Sequence, residues 1–209
     1  KDIFVFFGPP EPAVVVLEQL KKASLLPSLI VTNPDRPAGR GLELQASPAK
    51  IWGETNNIPV LTPEKLDGDF KTKLQAESPS VCVVVAYGKI LKQNILDIPE
   101  YGFLNVHPSL LPLHRGATPI QSSILAGDTE TGVTVMQLDE KMDHGPIIAQ
   151  ELLELSGVEL SPDLHQKLFE IGGRLLAETL PEWLAGNIDS QDQDHKLASG
   201  RNFTSDYLI

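Results

Sequence analysis

Hydrophobic and polar positions divide the chain into short apolar runs and longer amphipathic segments. The most compact apolar runs are Ile3–Phe7, Ser28–Thr32 and Val81–Ala86. A short continuous apolar run is typical of a strand that is buried on both faces of a parallel sheet. The pattern therefore predicts strands at these runs and at four further segments, which are Pro59–Leu61, Tyr101–His107, Thr131–Leu138 and Pro146–Leu153.

The segments between these runs have the spacing of helices that pack one face on a sheet. Ser47-Pro48 and Ser161-Pro162 mark two helix starts, because Ser caps a helix and Pro suits its first turn. An irregularity is expected at Gly172-Gly173. The predicted helices are Ala13–Ala23, Pro48–Asn57, Thr62–Ala76, Lys92–Leu96, Thr118–Ala126 and Ser161–Leu184.

The alternation of strands with helices up to Ala126 predicts an α/β fold with a doubly wound, mostly parallel, Rossmann-like sheet. The two later strands follow each other directly, so we expect them as antiparallel additions at the sheet edge. The loop after the first strand, Gly8–Pro12, lacks the G-x-G-x-x-G pattern, which argues against a nicotinamide or flavin dinucleotide. The segment Asn33–Gly41 is predicted to be a loop that carries two arginines.

Composition narrows the classes of partner and compartment. No run approaches the roughly 18 apolar residues of a membrane-spanning helix, and Lys1-Asp2 before a strand does not resemble a signal peptide. A net charge of −11 argues against a general nucleic-acid-binding surface but allows a local basic patch. Five histidines and the single Cys82 show no zinc-ligand spacing, so we expect no metal. A chain that cannot form an internal disulfide suits the cytoplasm.

Three polar side chains carry the candidate chemistry. Asn105 and His107 alternate on one face at the carboxyl end of a strand, the end at which open α/β sheets bind ligands. Pro108 should terminate that strand, and Asp143 lies in the polar loop Asp139–Gly145. An amide donor, an imidazole and a carboxylate together suit the attack of an amine on a carbonyl-level carbon. Each taken alone could instead cap a turn or satisfy loop carbonyls.

Longer motifs around these side chains resemble the folate-dependent formyltransferases. The motifs are Asn105–Gly116, Gly127–Met136 and Met142–Gly145, and the resemblance extends from Ile3 to about Gly186. It implies that the three side chains are the catalytic trio and that 10-formyltetrahydrofolate is the formyl donor. Because no Ser or Cys stands out as an activated nucleophile, we expect direct transfer to the amine.

The resemblance also implies a binding surface for the folate donor. Its residues come from the loop after the Val81–Ala86 strand, from the loop after His107 and from the loop that contains Asp143. The implied donor-binding residues are Ala86, Tyr87, Gly88, Ile90, Leu91, Ser109, Leu110, Leu111, Pro112, Asp139 and Met142.

One loop distinguishes between members of the family that act on different acceptors. Pro34–Gly41, with Ser47–Lys50, closely resembles the acceptor-stem loop of methionyl-tRNA formyltransferases, which implies initiator methionyl-tRNA as the acceptor. Without the resemblance, two loop arginines would be read as solvated charges. Arginine nevertheless suits phosphate contacts, because its guanidinium is planar and permanently charged. The implied tRNA-binding residues are Arg36, Arg40, Lys50 and Arg115.

Departures from the family pattern leave alternatives open. Gly8-Pro9-Pro10 stands where Gly-Thr-Pro is usual, and His144 stands where Thr is common, so the role of His144 is open. We assign residues 1–186 to the catalytic domain and 187–209 to a linker or tail towards a carboxyl-terminal domain outside this chain, and we expect a monomer. The alternatives are a sugar-nucleotide or glycinamide ribonucleotide formyltransferase, or a non-catalytic module that binds folate or tRNA.

Overall fold

The computed structural model describes residues 3–38 and 43–199 and divides the chain into two compact units. Unit 1 runs to Leu104 and unit 2 begins at Asn105, so the boundary falls within one strand, β7 (Phe103–His107). This strand ends immediately before Pro108, which confirms the predicted stop. Strand β7 therefore closes unit 1 and opens unit 2.

Unit 1 is a parallel sheet with helices between its strands. Its strands are β1 (Phe4–Phe7), β2 (Leu29–Val31), β5 (Val60–Leu61) and β6 (Val81–Val84), and its helices are α1 (Glu11–Lys22), α2 (Pro48–Thr55), α3 (Gly68–Glu77) and α4 (Gln93–Leu96). The strand order is β5-β2-β1-β6, with the start of β7 beside β6. All residues of β1, β2 and β6 are buried, as expected for strands covered on both faces.

Two sequence predictions in unit 1 are wrong. The predicted loop after β2 contains the short strand β3 (Arg36–Ala38), which pairs antiparallel with β4 (Glu43–Gln45). Helix α3 begins at Gly68 and not at Thr62, because its cap is Asp67, whose side chain accepts a hydrogen bond from the Phe70 amide at 3.3 Å. The start of α2 is confirmed, since the Ser47 side chain accepts from the Lys50 amide.

Unit 2 carries the antiparallel part of the sheet. Its further elements are α5 (Pro119–Ala126), β8 (Glu130–Gln137), β9 (Ile147–Glu154) and α6 (Ser161–Leu184). Strands β7, β8 and β9 follow in that order, and β8 and β9 pair antiparallel from Glu130 opposite Glu154 to Met136 opposite Ile147, with one shift of register between Val135 and Met136. The predicted antiparallel edge is therefore confirmed, as is the mostly parallel α/β class of the seven-stranded mixed sheet.

Helix α6 runs without a break through Gly172 and Gly173, so the predicted irregularity there is wrong. A Cβ atom on Gly172 would lie 2.5 Å from Cγ1 of Val106 and 3.0 Å from Cγ1 of Val133. Glycine is therefore needed at this position because the helix lies close to β7 and β8, and not because the helix bends.

Residues 187–199, the described part of the predicted linker, belong to unit 2. Gln191 forms an antiparallel bridge with Ile147 at the start of β9. Within the described residues, no helix combines the length and apolar character that crossing a membrane requires.

Candidate active site

The carboxyl end of β7 presents Asn105 and His107. Asn105 is half-buried, and His107 is buried with 5% of its surface exposed. Val106, between them, contacts the Gly172 position of α6. Since side chains alternate along a strand, Asn105 and His107 share the face opposite Val106. The contact between Val106 and α6 therefore holds in place the part of β7 that carries Asn105 and His107.

Two groups surround the imidazole of His107. Its Nε2 lies 3.0 Å from the main-chain oxygen of His114, and because a carbonyl only accepts, Nε2 donates this hydrogen bond. Its Nδ1 lies 3.6 Å from Oδ1 of Asp143, which is longer than a hydrogen bond. The carbonyl of His114 thus selects the tautomer of the neutral ring, while the carboxylate faces the nitrogen that can take up a second proton.

Asp143 adopts a main-chain conformation that few residues other than glycine tolerate. Its φ is +49°, in the left-handed region where Asp is enriched among non-glycine residues, and it is buried. Its Oδ2 accepts a hydrogen bond of 2.7 Å from the Gly116 amide. A Cβ atom on Gly145 would collide with the main-chain oxygen of Gln137, so the loop can lie against β8 only with glycine there. The Gly116 amide therefore holds the carboxylate, and Gly145 allows the loop that carries it to lie against β8.

The loop after β7, part of the predicted donor site, is braced by β8 and β9. Thr134 donates from Oγ1 to the Ser109 carbonyl at 2.7 Å and accepts from the Leu111 amide at 3.1 Å. The Gln150 side-chain amide donates to Thr134 Oγ1 and to the Leu111 carbonyl. Ser109 donates from its own hydroxyl to Leu113. Pro112 is half-buried and follows a cis peptide bond.

A cavity of about 320 Å³ opens beside the same loop. Its wall includes the ion pair between Nε2 of His114 and Oδ2 of Asp128, which are 2.6 Å apart. Leu110 is the only predicted donor-binding residue in this wall, and the catalytic candidates are absent from it. The lining residues are Leu110, Leu113, His114, Gly127, Asp128, Thr129, Glu130 and Thr131.

The remaining predicted donor-binding residues of unit 1 follow β6. Ala86 and Gly88 both have positive φ, of +48° and +74°, and both are exposed. Tyr87 between them is buried against Phe7, with ring centroids 5.3 Å apart, and burial raises the pKa of its phenol to about 12. Ile90 is 84% exposed, whereas Leu91 is buried. This turn thus offers main chain and an apolar side chain to solvent.

The loop between β8 and β9 contains Asp139 and Met142, the last two predicted donor-binding residues. Met142 is 64% exposed. Oδ2 of Asp139 lies 2.6 Å from Nδ1 of His144, and the His144 ring stacks on that of His195 with centroids 4.0 Å apart. His144 therefore has one partner at the edge of its ring and another on a face of its ring.

The predicted tRNA-binding cations have different surroundings. Arg36 is exposed on β3, and Arg40 lies outside the described residues. Nζ of Lys50 lies 2.7 Å from Oδ2 of Asp35, and that hydrogen bond raises the lysine pKa. In unit 1, Lys89 donates to the Pro63 carbonyl; burial lowers its pKa, the charge of Arg36 lowers it further and Glu64 opposes both effects.

Arg115 is placed differently from the other predicted tRNA contacts. Its Nε and Nη2 donate to Oε1 of Gln193 at 3.1 and 2.5 Å, and Nη2 also donates to Nδ1 of His195 at 2.9 Å. The guanidinium of Arg115 is therefore engaged within unit 2.

Sequence reasoning missed several residues of this site, among them Thr134, Gln150, Gln193 and His195. Thr134 and Gln150 lie on strands in which every position fits a strand pattern, so nothing singled them out. Gln193 and His195 lie in a polar segment without periodicity. The sequence offered one signal for these two residues: Gln193 and His195 can both form hydrogen bonds, and both follow closely after α6 in the chain.

The described residues contain no group of three or more His, Cys, Asp or Glu side chains placed to hold a metal ion. The candidate site instead offers hydrogen-bond donors, hydrogen-bond acceptors and apolar side chains to a small molecule. This fits a site that moves a proton and stabilises an oxyanion with an imidazole, an amide and a carboxylate.

Comparison with known proteins decides the family of this site. A model of the formyl transferase family matches residues 1–180. The chain belongs to the formyl transferase family. Family membership agrees with the resemblance that the motifs around Asn105 and Asp143 predict.

Curated relatives in the family are methionyl-tRNA formyltransferases. One from Chloroflexus aggregans is 46% identical over 196 residues, which cover 93% of this chain and 63% of the relative. Another from Halorhodospira halophila is 45% identical over 203 residues, 97% of this chain and 66% of the relative. The chain thus spans slightly less than two thirds of the length of these relatives.

Solved structures of other formyl transferases share the fold. The phosphoribosylglycinamide formyltransferase from Bacillus halodurans superposes with a TM-score of 0.70 at 26% identity, covering 88% of this chain and 96% of its own. An N-formyltransferase from Helicobacter canadensis, in complex with folinic acid and dTDP-3-aminofucose, superposes with a TM-score of 0.72 at 19% identity, covering 96% and 71%. The second likeness concerns the fold alone.

Proposed function

We propose that this chain is the catalytic part of a methionyl-tRNA formyltransferase, which moves a formyl group from 10-formyltetrahydrofolate to the amino group of methionyl-tRNA. The observation that carries the proposal is the arrangement of His107 and Asp143, with the imidazole Nδ1 3.6 Å from the carboxylate at the end of β7. The formyl transferase family and the names of the 45–46% identical relatives support the choice of donor and acceptor.

In the proposed reaction, the amine nitrogen attacks the formyl carbon and the carbonyl electron pair moves to oxygen. Asn105 and the protonated Nδ1 of His107 donate hydrogen bonds to this oxyanion, where donors are most effective. Asp143 balances the charge of the imidazolium and takes up the proton that the amine releases. Collapse of the intermediate then re-forms the carbonyl bond and breaks the bond to N10 of the folate, which receives the proton held by Asp143 and leaves as tetrahydrofolate.

Donor-binding residues are proposed in each of the two units. In unit 2, the braced loop from Ser109 to Pro112 and the exposed Met142 contribute. In unit 1, the turn from Ala86 to Leu91 exposes Ile90 and main-chain groups. Flat, partly apolar folate rings suit a site in which apolar side chains alternate with main-chain donors and acceptors.

The acceptor is proposed to contact Arg36 and Lys50 of unit 1, together with Arg40. Because the chain carries a net charge of −11, a polyanion can approach only where positive side chains are gathered locally. Lys50 is kept because its ion pair with Asp35 is partly exposed, whereas Arg115 is left out of this set because its partner Gln193 is buried. We further propose that the protein is a monomer and works in the cytoplasm. Size-exclusion chromatography tests the first point, and cell fractionation tests the second.

The test is turnover with defined amines. The chain is incubated with 10-formyltetrahydrofolate and, separately, with methionyl-tRNA, glycinamide ribonucleotide or an amino-sugar nucleotide, and the release of tetrahydrofolate is followed. Formylation of methionyl-tRNA alone is expected. Preference for either of the other amines would show that methionyl-tRNA is not the acceptor, but it would leave the proposed formyl transfer unchanged. Turnover with none of the three would favour a binding module and refute the proposal.

A further inference from the structure

Gln193 is a buried polar side chain in the polar segment after α6. Only 5% of its surface is exposed. Its side-chain amide donates to the main-chain oxygens of Asp143 at 3.0 Å and Gly145 at 2.7 Å. Its Oε1 accepts both hydrogen bonds from Arg115. An amide side chain has two N–H donors and two lone pairs, so the hydrogen-bonding capacity of Gln193 is fully used.

These four hydrogen bonds join the two loops that hold the Asp143 carboxylate. One loop contains Asp143 itself, whose φ of +49° needs support from its surroundings. The other contains Arg115, and the next residue, Gly116, donates its amide hydrogen to Oδ2 of Asp143. Gln193 therefore fixes the main chain on which the carboxylate sits and also the arginine beside its hydrogen-bond donor.

The segment that carries Gln193 is itself anchored on both sides. Before it, Gln191 and Ile147 exchange main-chain hydrogen bonds of 2.7 and 2.8 Å. After it, the Ser199 carbonyl accepts from the Arg115 amide at 2.7 Å, and the Ser199 hydroxyl accepts from the His114 amide at 3.1 Å. His114 is the residue whose carbonyl holds His107. The same segment thus supports the surroundings of both His107 and Asp143.

We infer that Gln193 is a positioning residue, which holds the Asp143 carboxylate at its distance from His107, and that Arg115 serves it instead of contacting tRNA phosphate. The inference rests on the proposed function, because it assumes that Asp143 acts on the reacting atoms through His107. A loop displaced by about 1 Å at a catalytic group can lower turnover by up to about 100-fold. The effect should therefore fall on kcat and leave KM for both substrates nearly unchanged.

Two variants of Gln193 separate its donors from its acceptor. Gln193→Met keeps the length and loses all four hydrogen bonds, while Gln193→Glu keeps acceptance from Arg115 and loses donation to the two carbonyls. Gln191→Met is the matched control, because Gln191 uses its main chain and is exposed. We expect kcat to fall about 10- to 100-fold in both Gln193 variants, and the pH profile of kcat to shift. The control should stay within about twofold of the parent.

A double-mutant cycle tests the assignment of Arg115. If Arg115 acts through Gln193, Arg115→Met should lower kcat, leave the salt dependence of KM for methionyl-tRNA unchanged, and add little to Gln193→Met. A raised KM with a flatter salt dependence would instead show a phosphate contact and overturn that part of the inference.

The outcomes for the two proposals are distinct. An active parent with fully active, folded Gln193 variants would refute the positioning role alone. A parent and a Gln191→Met control that formylate no amine would refute the proposed function. If thermal melting shows that Gln193→Met does not fold, the kcat of Gln193→Glu decides, because that variant retains the contact with Arg115.

Discussion

The main-chain oxygen of His114 lies 3.0 Å from Nε2 of His107 and accepts its hydrogen. Because Nε2 carries the hydrogen of the neutral ring, Nδ1 carries its lone pair. Asp143 faces that nitrogen. The loop main chain therefore selects the tautomer of the neutral ring and turns its lone-pair nitrogen towards the carboxylate.

Replacing His107 by Ala should lower kcat for formyl transfer by about 100- to 1000-fold, the usual loss when one donor to an oxyanion is removed. Steady-state turnover with 10-formyltetrahydrofolate and methionyl-tRNA measures the change. His165→Ala is a suitable control, because His165 lies on α6 and packs on Phe169. Near-parental turnover in the His107 variant would remove this ring from the mechanism.

Asp143→Asn separates the charge of this side chain from its role in the loop. An Asn oxygen can still accept from the Gly116 amide, and Asn tolerates the positive φ at this position. We therefore expect nearly unchanged thermal stability and folate affinity with a strongly reduced kcat. Fluorescence titration with a folate analogue and single-turnover kinetics distinguish these quantities. A variant that loses folate affinity and keeps its chemical step would contradict the assigned role.

Short-range pattern was sufficient for the parts of the fold in which local propensity and tertiary packing agree. The apolar run at Val81 forms a buried strand, and β7 stops before Pro108. The pattern failed at Pro37, because proline argues against a strand although a short strand with one neighbour can accept it. It could not reveal that Arg115 pairs with Gln193, because Gln193 lies 78 positions away in a segment without hydrophobic periodicity.

Replacing Arg36 and Arg40 together by Ala should raise the apparent KM for methionyl-tRNA and flatten its dependence on salt. Fewer phosphate contacts release fewer counterions, so the slope of log K against log salt should become shallower. Folate binding should hardly change. Lys73→Ala with Lys167→Ala removes the same charge at exposed positions elsewhere and serves as the control. If the arginine pair alters folate affinity and spares tRNA affinity, the loop has been misassigned.

Gly172→Ala should destabilise the fold by about 1–3 kcal/mol, the usual cost of forcing an extra carbon into a packed core. The new Cβ would lie 2.5 Å from Cγ1 of Val106, between Asn105 and His107, so turnover should fall as well. Chemical denaturation measures the loss. Gly68→Ala is the matched control, because a Cβ there meets nothing within 4 Å and should be neutral or slightly stabilising. Equal stability of the two variants would contradict the packing assignment.

Tyr87 should make the fold less stable at high pH. Burial raises the pKa of its phenol to about 12 in the folded protein, whereas an unfolded Tyr titrates near 10. Above about pH 10 the unfolded chain loses this proton first, so the free energy of unfolding should decrease as pH rises towards 12. Tyr87→Phe should remove this part of the decrease. Denaturation curves at several alkaline pH values measure the free energy of unfolding of parent and variant. If that free energy falls equally with pH in both proteins, the pKa of the Tyr87 phenol is not raised in the folded state.

Strand β9 stands last in the strand order of the described residues, and Gln191 pairs with its first residue, Ile147. Farther along, the strand carries Glu151 and Glu154, and Arg174 pairs with the first of these. Charged side chains on an outermost strand discourage pairing with a strand of another molecule. Two copies that met along this edge would bring acidic side chains together in a chain of net charge −11. Charge on the outermost strand therefore acts against edge-to-edge pairing of two copies, and Gln191 occupies the main-chain groups at the start of that strand.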